Sequence, residues 1–223
     1  MTHHLVPSAS WWAIALAVGL GSWVLRPYPD TVGEAMTPIT DRGPAERANL
    51  ARGIAYLAGA TIAPDRPWSL STCLGSRTRG HGYMPAPSRL GDARVATLGG
   101  GLCQLASTLH LAALRAGLEP LARKGHRQPA ASMPAGLDVA LWDGGQDLVL
   151  ANRGNRPIRI EARLSEHGLS ISLRGWHDGR GHQWSLATRD DGQGLRTSGF
   201  RRTWLPDDTV AGTLRWSDVY DTR

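Results

Sequence analysis

The feature that most constrains this fold is a run of three glycines leading into an apolar, helix-forming segment. Residues 99–101 are all glycine, Cys103 follows, and leucine and alanine then recur at three- and four-residue spacing up to Gly117. Glycine runs are unfavourable inside helices and strands, so the run predicts a tight turn, and the spacing predicts a helix. Cys103 then lies at the helix N-terminus, where the helix dipole favours a thiolate.

The two cysteines of the chain, Cys73 and Cys103, allow other interpretations. Cys103 can be a small buried residue of an apolar helix. A Cys73–Cys103 disulfide is also possible in an oxidising compartment and would exclude a nucleophilic role. We expect both thiols to be unpaired, because they lie in different predicted segments. Two distant cysteines without a CxxC motif or a histidine cluster fit no common zinc pattern, so we predict no metal and no cofactor.

An uncharged segment near the N-terminus predicts membrane attachment. Residues 11–25 carry no charge and have tryptophan near both ends, which is typical of a transmembrane anchor following a short tail, residues 1–10. A secretory signal is the alternative, although no clear cleavage site follows. Arg26 argues weakly against an exported C-terminus, yet we expect a single-pass membrane protein with an extracytoplasmic domain.

The charge of the chain does not indicate a nucleic-acid-binding protein. The formal net charge of +6 suits anionic surroundings such as membrane headgroups or the cell wall. The arginines are scattered along the chain, and no helix-turn-helix, zinc-finger or RNA-binding motif accompanies them. We therefore predict no nucleic-acid partner.

The order of elements predicts an α+β fold in which the Cys103 helix packs on a mostly antiparallel sheet. Residues 26–44 are rich in proline and predict a linker, residues 46–59 predict an amphipathic helix, and residues 80–91 predict a loop. Short strands are predicted at residues 68–70, 137–141, 147–151, 157–162 and 169–173. The tail, residues 176–223, predicts a β-rich extension.

The motifs of this chain, taken in order, resemble the VanW-like family. Residues 75–83 look like the family's "G.RT...GY" loop, and residues 99–109 look like its "GGG.CQ..STL" signature. An "AGL" at 116–118, His126, a "P.GLD" at 134–138 and a "DL.L.N" at 147–152 follow in family order. The resemblance delimits a VanW-like domain over about residues 45–175.

The resemblance implies an extracytoplasmic role at the cell wall. Some proteins that carry this domain are linked to L,D-transpeptidase chemistry, in which a cysteine forms a thioester with a peptidoglycan stem peptide and passes it to an amine. A cysteine acyltransferase, or a hydrolase of the same bonds, is therefore the first hypothesis. A non-catalytic module that binds wall peptides or glycopeptides, and a structural role with a disulfide, are the alternatives.

Acyl transfer through cysteine requires a nucleophile, a base and a group that orients the base. We assign these roles to Cys103, His126 and Asp138. His110 is a rival base, but seven helical residues place it about 10 Å from Cys103, and His81 is a weaker candidate in a glycine-rich loop. Asp138 can alternatively cap a turn. The predicted substrate-binding residues are Gly99, Gly100, Gly101, Gln104, Ser107 and Arg77.

Overall fold

A computed structural model of the protein describes residues 28–90 and 93–221, in which three α-helices, one 3-10 helix (Arg79–His81) and twelve strands are found. The helices are α1 (Pro44–Leu57), α2 (Leu70–Leu74) and α3 (Leu102–Arg115). The strands are β1 (Asp30–Pro38), β2 (Thr61–Ile62), β3 (Pro67–Ser69), β4 (Pro85–Leu90), β5 (Ala93–Leu98), β6 (Glu119–Ala122), β7 (Val149–Ala151), β8 (Ile158–Leu164), β9 (Gly168–Gly175), β10 (Gly181–Asp190), β11 (Leu195–Trp204) and β12 (Val210–Tyr220).

These strands pair antiparallel in four small sheets. A four-stranded sheet has the order β1-β9-β8-β2, and a three-stranded sheet of the C-terminal region has the order β10-β11-β12. Another three-stranded sheet has the order β3-β7-β6, and β4 and β5 form a hairpin. The predicted α+β class with mostly antiparallel sheets is therefore confirmed.

Helix α3 is the centre of the hydrophobic core. Its leucines and alanines are buried on nearly every side of the helix, which is typical of a helix enclosed by other elements. Strand β1 packs along it, and Arg115 in its last turn donates a hydrogen bond to the Glu34 carbonyl of β1 at 2.7 Å. Gly117, with a φ of +78°, ends the helix in the left-handed conformation that favours glycine.

Several predicted elements are found close to their expected positions. The helix predicted at 46–59 is α1, the strand predicted at 68–70 is β3, and the strands predicted at 147–151, 157–162 and 169–173 are β7, β8 and β9. The β-rich extension corresponds to β10, β11 and β12, which form one continuous meander.

Three predictions are wrong. The linker predicted over 26–44 contains β1, in which the small residues Gly33, Ala35 and Thr37 face inward. The loop predicted over 80–91 contains β4. The strand predicted over 137–141 is irregular, because its backbone N–H groups bind loop atoms and side chains instead of a neighbouring strand: Leu137 donates to the Pro134 carbonyl and Ala140 to the Lys124 carbonyl.

The predicted membrane anchor, residues 11–25, lies outside the described residues. Within residues 28–90 and 93–221, none of the helices is long and apolar enough to cross a membrane.

Candidate functional site

The glycine turn places Cys103 in the first turn of α3. Gly101 caps the helix with a φ of +99°, a conformation that side chains strongly disfavour. Gly100 lies against strand β4, where an added Cβ would come within 2.7 Å of the Ala86 carbonyl carbon. Gly99 and Gly100 are both buried. The turn therefore packs closely against the protein's own backbone at Gly100.

The Cys103 thiol faces the irregular segment that follows Asp138. Its Sγ accepts a hydrogen bond from the Leu141 N–H at 3.4 Å, and as a neutral thiol it donates to the Leu141 carbonyl at 3.7 Å. Cys103 and Cys73 are both free and half-buried, as predicted, so the disulfide alternative is wrong. An N–H directed at the sulfur favours the thiolate form.

His126 follows β6 and lies between the thiol and a carboxylate. Its Nδ1 is 2.6 Å from Oδ2 of Asp138, and its backbone N–H donates to the same oxygen at 2.8 Å. The hydrogen bond and charge of its imidazole also lower the pKa of the Cys103 thiol. Since Nδ1 is hydrogen-bonded to Asp138, Nε2 is the imidazole nitrogen that is available to interact with the thiol. About a quarter of the His126 side chain remains exposed, so solvent reaches it.

The pKa shifts of the pair favour a thiolate–imidazolium ion pair. Burial alone raises the pKa of Cys103, but the hydrogen bond and charge of His126, the Leu141 N–H and the Arg77 charge together lower it below its ordinary value. Burial lowers the pKa of His126, and the hydrogen bonds that its imidazolium donates to Asp138 and Cys103 outweigh that effect and raise it to about 9. Both shifts favour a charged nucleophile.

Asp138 is fully buried, and all its contacts hold it as a carboxylate. Burial raises its pKa, whereas the His126 side chain, the His126 backbone N–H and the Tyr220 hydroxyl lower it further than burial raises it. Tyr220 donates to Oδ1 at 2.5 Å, and the Arg123 guanidinium lies 3.6 Å from the same oxygen. One carboxylate oxygen thus faces His126, and the other faces Tyr220 and Arg123.

Two of the predicted substrate-binding residues are buried and hydrogen-bonded within the protein. Gln104 is buried and points away from the thiol: its Nε2 donates to Thr37 of β1, and its Oε1 accepts from Arg42, in the turn between β1 and α1. Its backbone N–H donates to Gly101, so this group is not free to stabilise an oxyanion. Ser107 is buried as well: its hydroxyl donates to the Cys103 carbonyl, and it accepts from Val139 at 2.8 Å.

Ser107 nevertheless contributes to the site through this bridge. The hydroxyl lies one turn beyond Cys103 on α3, and the Val139 N–H that it binds is next to Asp138 in the chain. It therefore joins the helix that carries the nucleophile to the segment that carries the carboxylate.

Arg77, another predicted substrate-binding residue, acts on the thiol through its charge. Its side chain is only 7% exposed, and its charge lowers the pKa of Cys103. One guanidinium nitrogen pairs with Asp143, a well-exposed residue. Nε is buried and has no hydrogen-bond partner among the described residues. A buried cation with an unused donor is suited to an anionic ligand group.

The rival histidines lie in other environments. His110 is fully buried, its Nδ1 is 3.0 Å from the Leu137 carbonyl, and burial lowers its pKa to about 4. It is a neutral core residue. His81 is exposed in a 3-10 turn and hydrogen-bonds to Thr78. Among the described residues, no cluster of three or more His, Cys, Asp or Glu side chains fits a metal ion.

Sequence reasoning missed three residues of the site: Leu141, Arg123 and Tyr220. Leu141 acts through its backbone, which the sequence pattern does not report. Arg123 donates to the Asp138 carbonyl from Nε at 2.9 Å and from Nη2 at 2.6 Å. Tyr220 lies in the C-terminal sheet. The sequence shows only that it belongs to a segment in which apolar and polar residues alternate, which indicates a strand.

Comparison with known proteins supports the resemblance that the order of motifs indicated. The family model described as "VanW like protein" matches residues 45–174, more than half of the chain. A protein of Bacillus subtilis (strain 168) named "Uncharacterized protein YoaR" is 30% identical over 142 residues. The alignment covers 64% of this chain and 47% of YoaR, so the chain spans about half the length of this relative. No solved structure matches the chain.

Proposed function

This chain belongs to the family of VanW-like proteins, and from that membership and the geometry around Cys103 we propose that it is a cysteine-dependent acyltransferase of cell-wall peptides. Family membership points to the cell envelope. The observation that carries the proposal is the chain of contacts from the Cys103 thiol through His126 to the fully buried Asp138. Nucleophile, base and orienting carboxylate are the groups that acyl transfer through cysteine requires.

The proposed reaction forms and then breaks a thioester. The Cys103 thiolate attacks the carbonyl carbon of a wall-peptide bond, and the carbonyl electrons move to the oxygen. When the carbonyl re-forms, the C–N bond breaks, and the His126 imidazolium gives its proton to the leaving amine. An acceptor amine then loses a proton to His126 and displaces Cys103. Water in place of the amine gives hydrolysis.

Arg77 is the group that we assign to recognition of the donor peptide. A stem peptide ends in a carboxylate, and the buried Arg77, whose charge lowers the pKa of Cys103, has an Nε without a hydrogen-bond partner among the described residues. Its ion pair with the exposed Asp143 occupies one side of the guanidinium, which leaves the Nε side for a ligand carboxylate. The proposed class of donor is therefore a peptide with a free C-terminus.

The proposed place of action is outside the cytoplasmic membrane, where wall peptides are found. Residues 11–25 are the proposed anchor. Protease treatment of intact cells tests this placement: an extracytoplasmic domain is digested without lysis, and an internal one is protected.

The direct test of the activity is the detection of a covalent intermediate. The protein is incubated with isolated stem peptides, and the mass of each cysteine-containing peptide is measured. We expect an acyl adduct on Cys103 that is absent in Cys103→Ala and retained in Cys73→Ala, the matched control. His126→Ala is expected to lower the rate of transfer about 10²- to 10⁴-fold. Binding of stem peptides without any adduct, and full biological activity of Cys103→Ser, would instead identify a binding module.

A further inference from the structure

The last strand of the C-terminal sheet lies directly against the loop that carries Asp138. Alternate residues of a strand point to the same face, and Trp216 and Tyr220 of β12 both point to this loop. Trp216 donates from Nε1 to the Gly136 carbonyl at 2.8 Å. The Tyr220 hydroxyl accepts from the Gly136 N–H at 2.6 Å and donates to Asp138 Oδ1 at 2.5 Å.

Asp218, on the same face of β12, supports Asp138 through a second route. It accepts from the Arg123 guanidinium at 2.5 Å, and Arg123 in turn donates two hydrogen bonds to the Asp138 carbonyl. Asp218 and Arg123 are both largely buried. The side chain and the backbone of Asp138 are therefore both held by residues that depend on β12.

We propose that Tyr220 is a positioning residue for Cys103, His126 and Asp138, and that the sheet β10-β11-β12 is part of the active site rather than an appendage. The inference rests on the proposed function. It goes beyond the family match, which ends at residue 174. A carboxylate fixed at Oδ1 by the Tyr220 hydroxyl keeps Oδ2 directed at His126, and the orientation of His126 determines the state of the thiol.

Packing alone would also explain a buried tyrosine, and the two explanations predict different results. A structural tyrosine contributes to stability and leaves the ionisation of Cys103 unchanged. A positioning tyrosine controls how well Asp138 supports the imidazolium, so its loss moves the pH at which the thiolate forms. The Tyr220→Phe variant removes the hydroxyl and keeps the ring.

The experiment measures the rate of Cys103 alkylation by iodoacetamide as a function of pH, in a Cys73→Ser background with one remaining thiol. For Tyr220→Phe we expect the midpoint of the profile to rise by about 1 pH unit and the rate at a pH well below the wild-type midpoint to fall about 10-fold, because less thiolate is present. Tyr83→Phe is the matched control: Tyr83 is equally buried, and its hydroxyl donates to the Leu74 carbonyl at 3.1 Å.

The outcomes separate this inference from the proposed function. A low wild-type midpoint that is unchanged in Tyr220→Phe overturns the inference alone. A wild-type midpoint at the ordinary cysteine value overturns the proposed function and, with it, the inference. If Tyr220→Phe does not fold, Asp218→Asn is measured instead. It loosens Arg123 from the same loop, and we expect the same upward movement of the midpoint, whereas an unchanged midpoint contradicts the inference.

Discussion

Asp138→Asn provides the most informative perturbation of the site, because it removes a charge and keeps the shape. Burial opposes the imidazolium of His126, yet the pKa of His126 rises from 6.5 to about 9 through Asp138 and Cys103. One pKa unit corresponds to about 1.4 kcal/mol, so these two partners together favour the imidazolium by about 3 kcal/mol or more. Asp138 contributes the shortest contact of His126, 2.6 Å, and accepts its backbone N–H as well.

We therefore expect the pKa of His126 to fall by about 1 to 2 units in Asp138→Asn. The assay is an NMR titration of the imidazole protons, with His126→Ala used to assign the resonance among the eight histidines. Acyl transfer is expected to fall less than in His126→Ala, since the base itself is retained. A His126 pKa that is the same in both proteins would refute the claim that Asp138 supports the imidazolium.

Two further predictions concern stability. In Cys103→Ala the free energy of unfolding is expected to fall as the pH rises above about 6.5, by at most about 3 kcal/mol, because folded His126 with its raised pKa still holds a proton that the unfolded chain releases. The free energy of unfolding of the wild type is expected to change little up to about pH 9, because the proton held by folded His126 is held by Cys103 in the unfolded chain. Urea unfolding at several pH values measures the free energy of unfolding of both proteins. The same pH dependence in both proteins would contradict the ion pair. In His110→Ala the free energy of unfolding is expected to fall by about 1–3 kcal/mol, because the Leu137 carbonyl loses its hydrogen-bond partner. The rate of acyl transfer per folded molecule is expected to stay unchanged. A large loss of acyl transfer would show that His110 takes part in the reaction.

Helix α3 and the three residues of the proposed catalytic group were predictable because their signals are local. The glycine run and the apolar spacing report directly on the turn and on α3. His126 and Asp138 follow in the order of the family motifs, and the structure brings both to Cys103. The contact of Tyr220 with Asp138 was not predictable, because the sequence of a strand does not indicate which distant loop its side chains contact.

The wrong predictions have physical causes as well. Strand β1 was missed because its inward face is built from Gly33, Ala35 and Thr37, whose small side chains give almost no hydrophobic alternation. Residues 137–141 were predicted as a strand because a polar residue, Asp138, lies between apolar ones. Asp138 is buried like its apolar neighbours, so the pattern does not reflect a strand with one exposed face. Gln104 was predicted to bind substrate because it is polar and follows Cys103. Its buried amide instead donates a hydrogen bond to the Pro38 carbonyl of β1.

The central claim, that Cys103 is an activated nucleophile, is tested most directly by comparing the two thiols of one molecule. Burial raises the pKa of Cys73, whereas the pKa of Cys103 is lowered by the partners that outweigh its burial, and both residues are free and half-buried. The wild-type protein is treated with limiting iodoacetamide at pH 6 to 7, and the label on each cysteine is quantified by peptide mapping. We predict that Cys103 is labelled at least about 10-fold faster than Cys73. Equal labelling, or faster labelling of Cys73, would contradict the account.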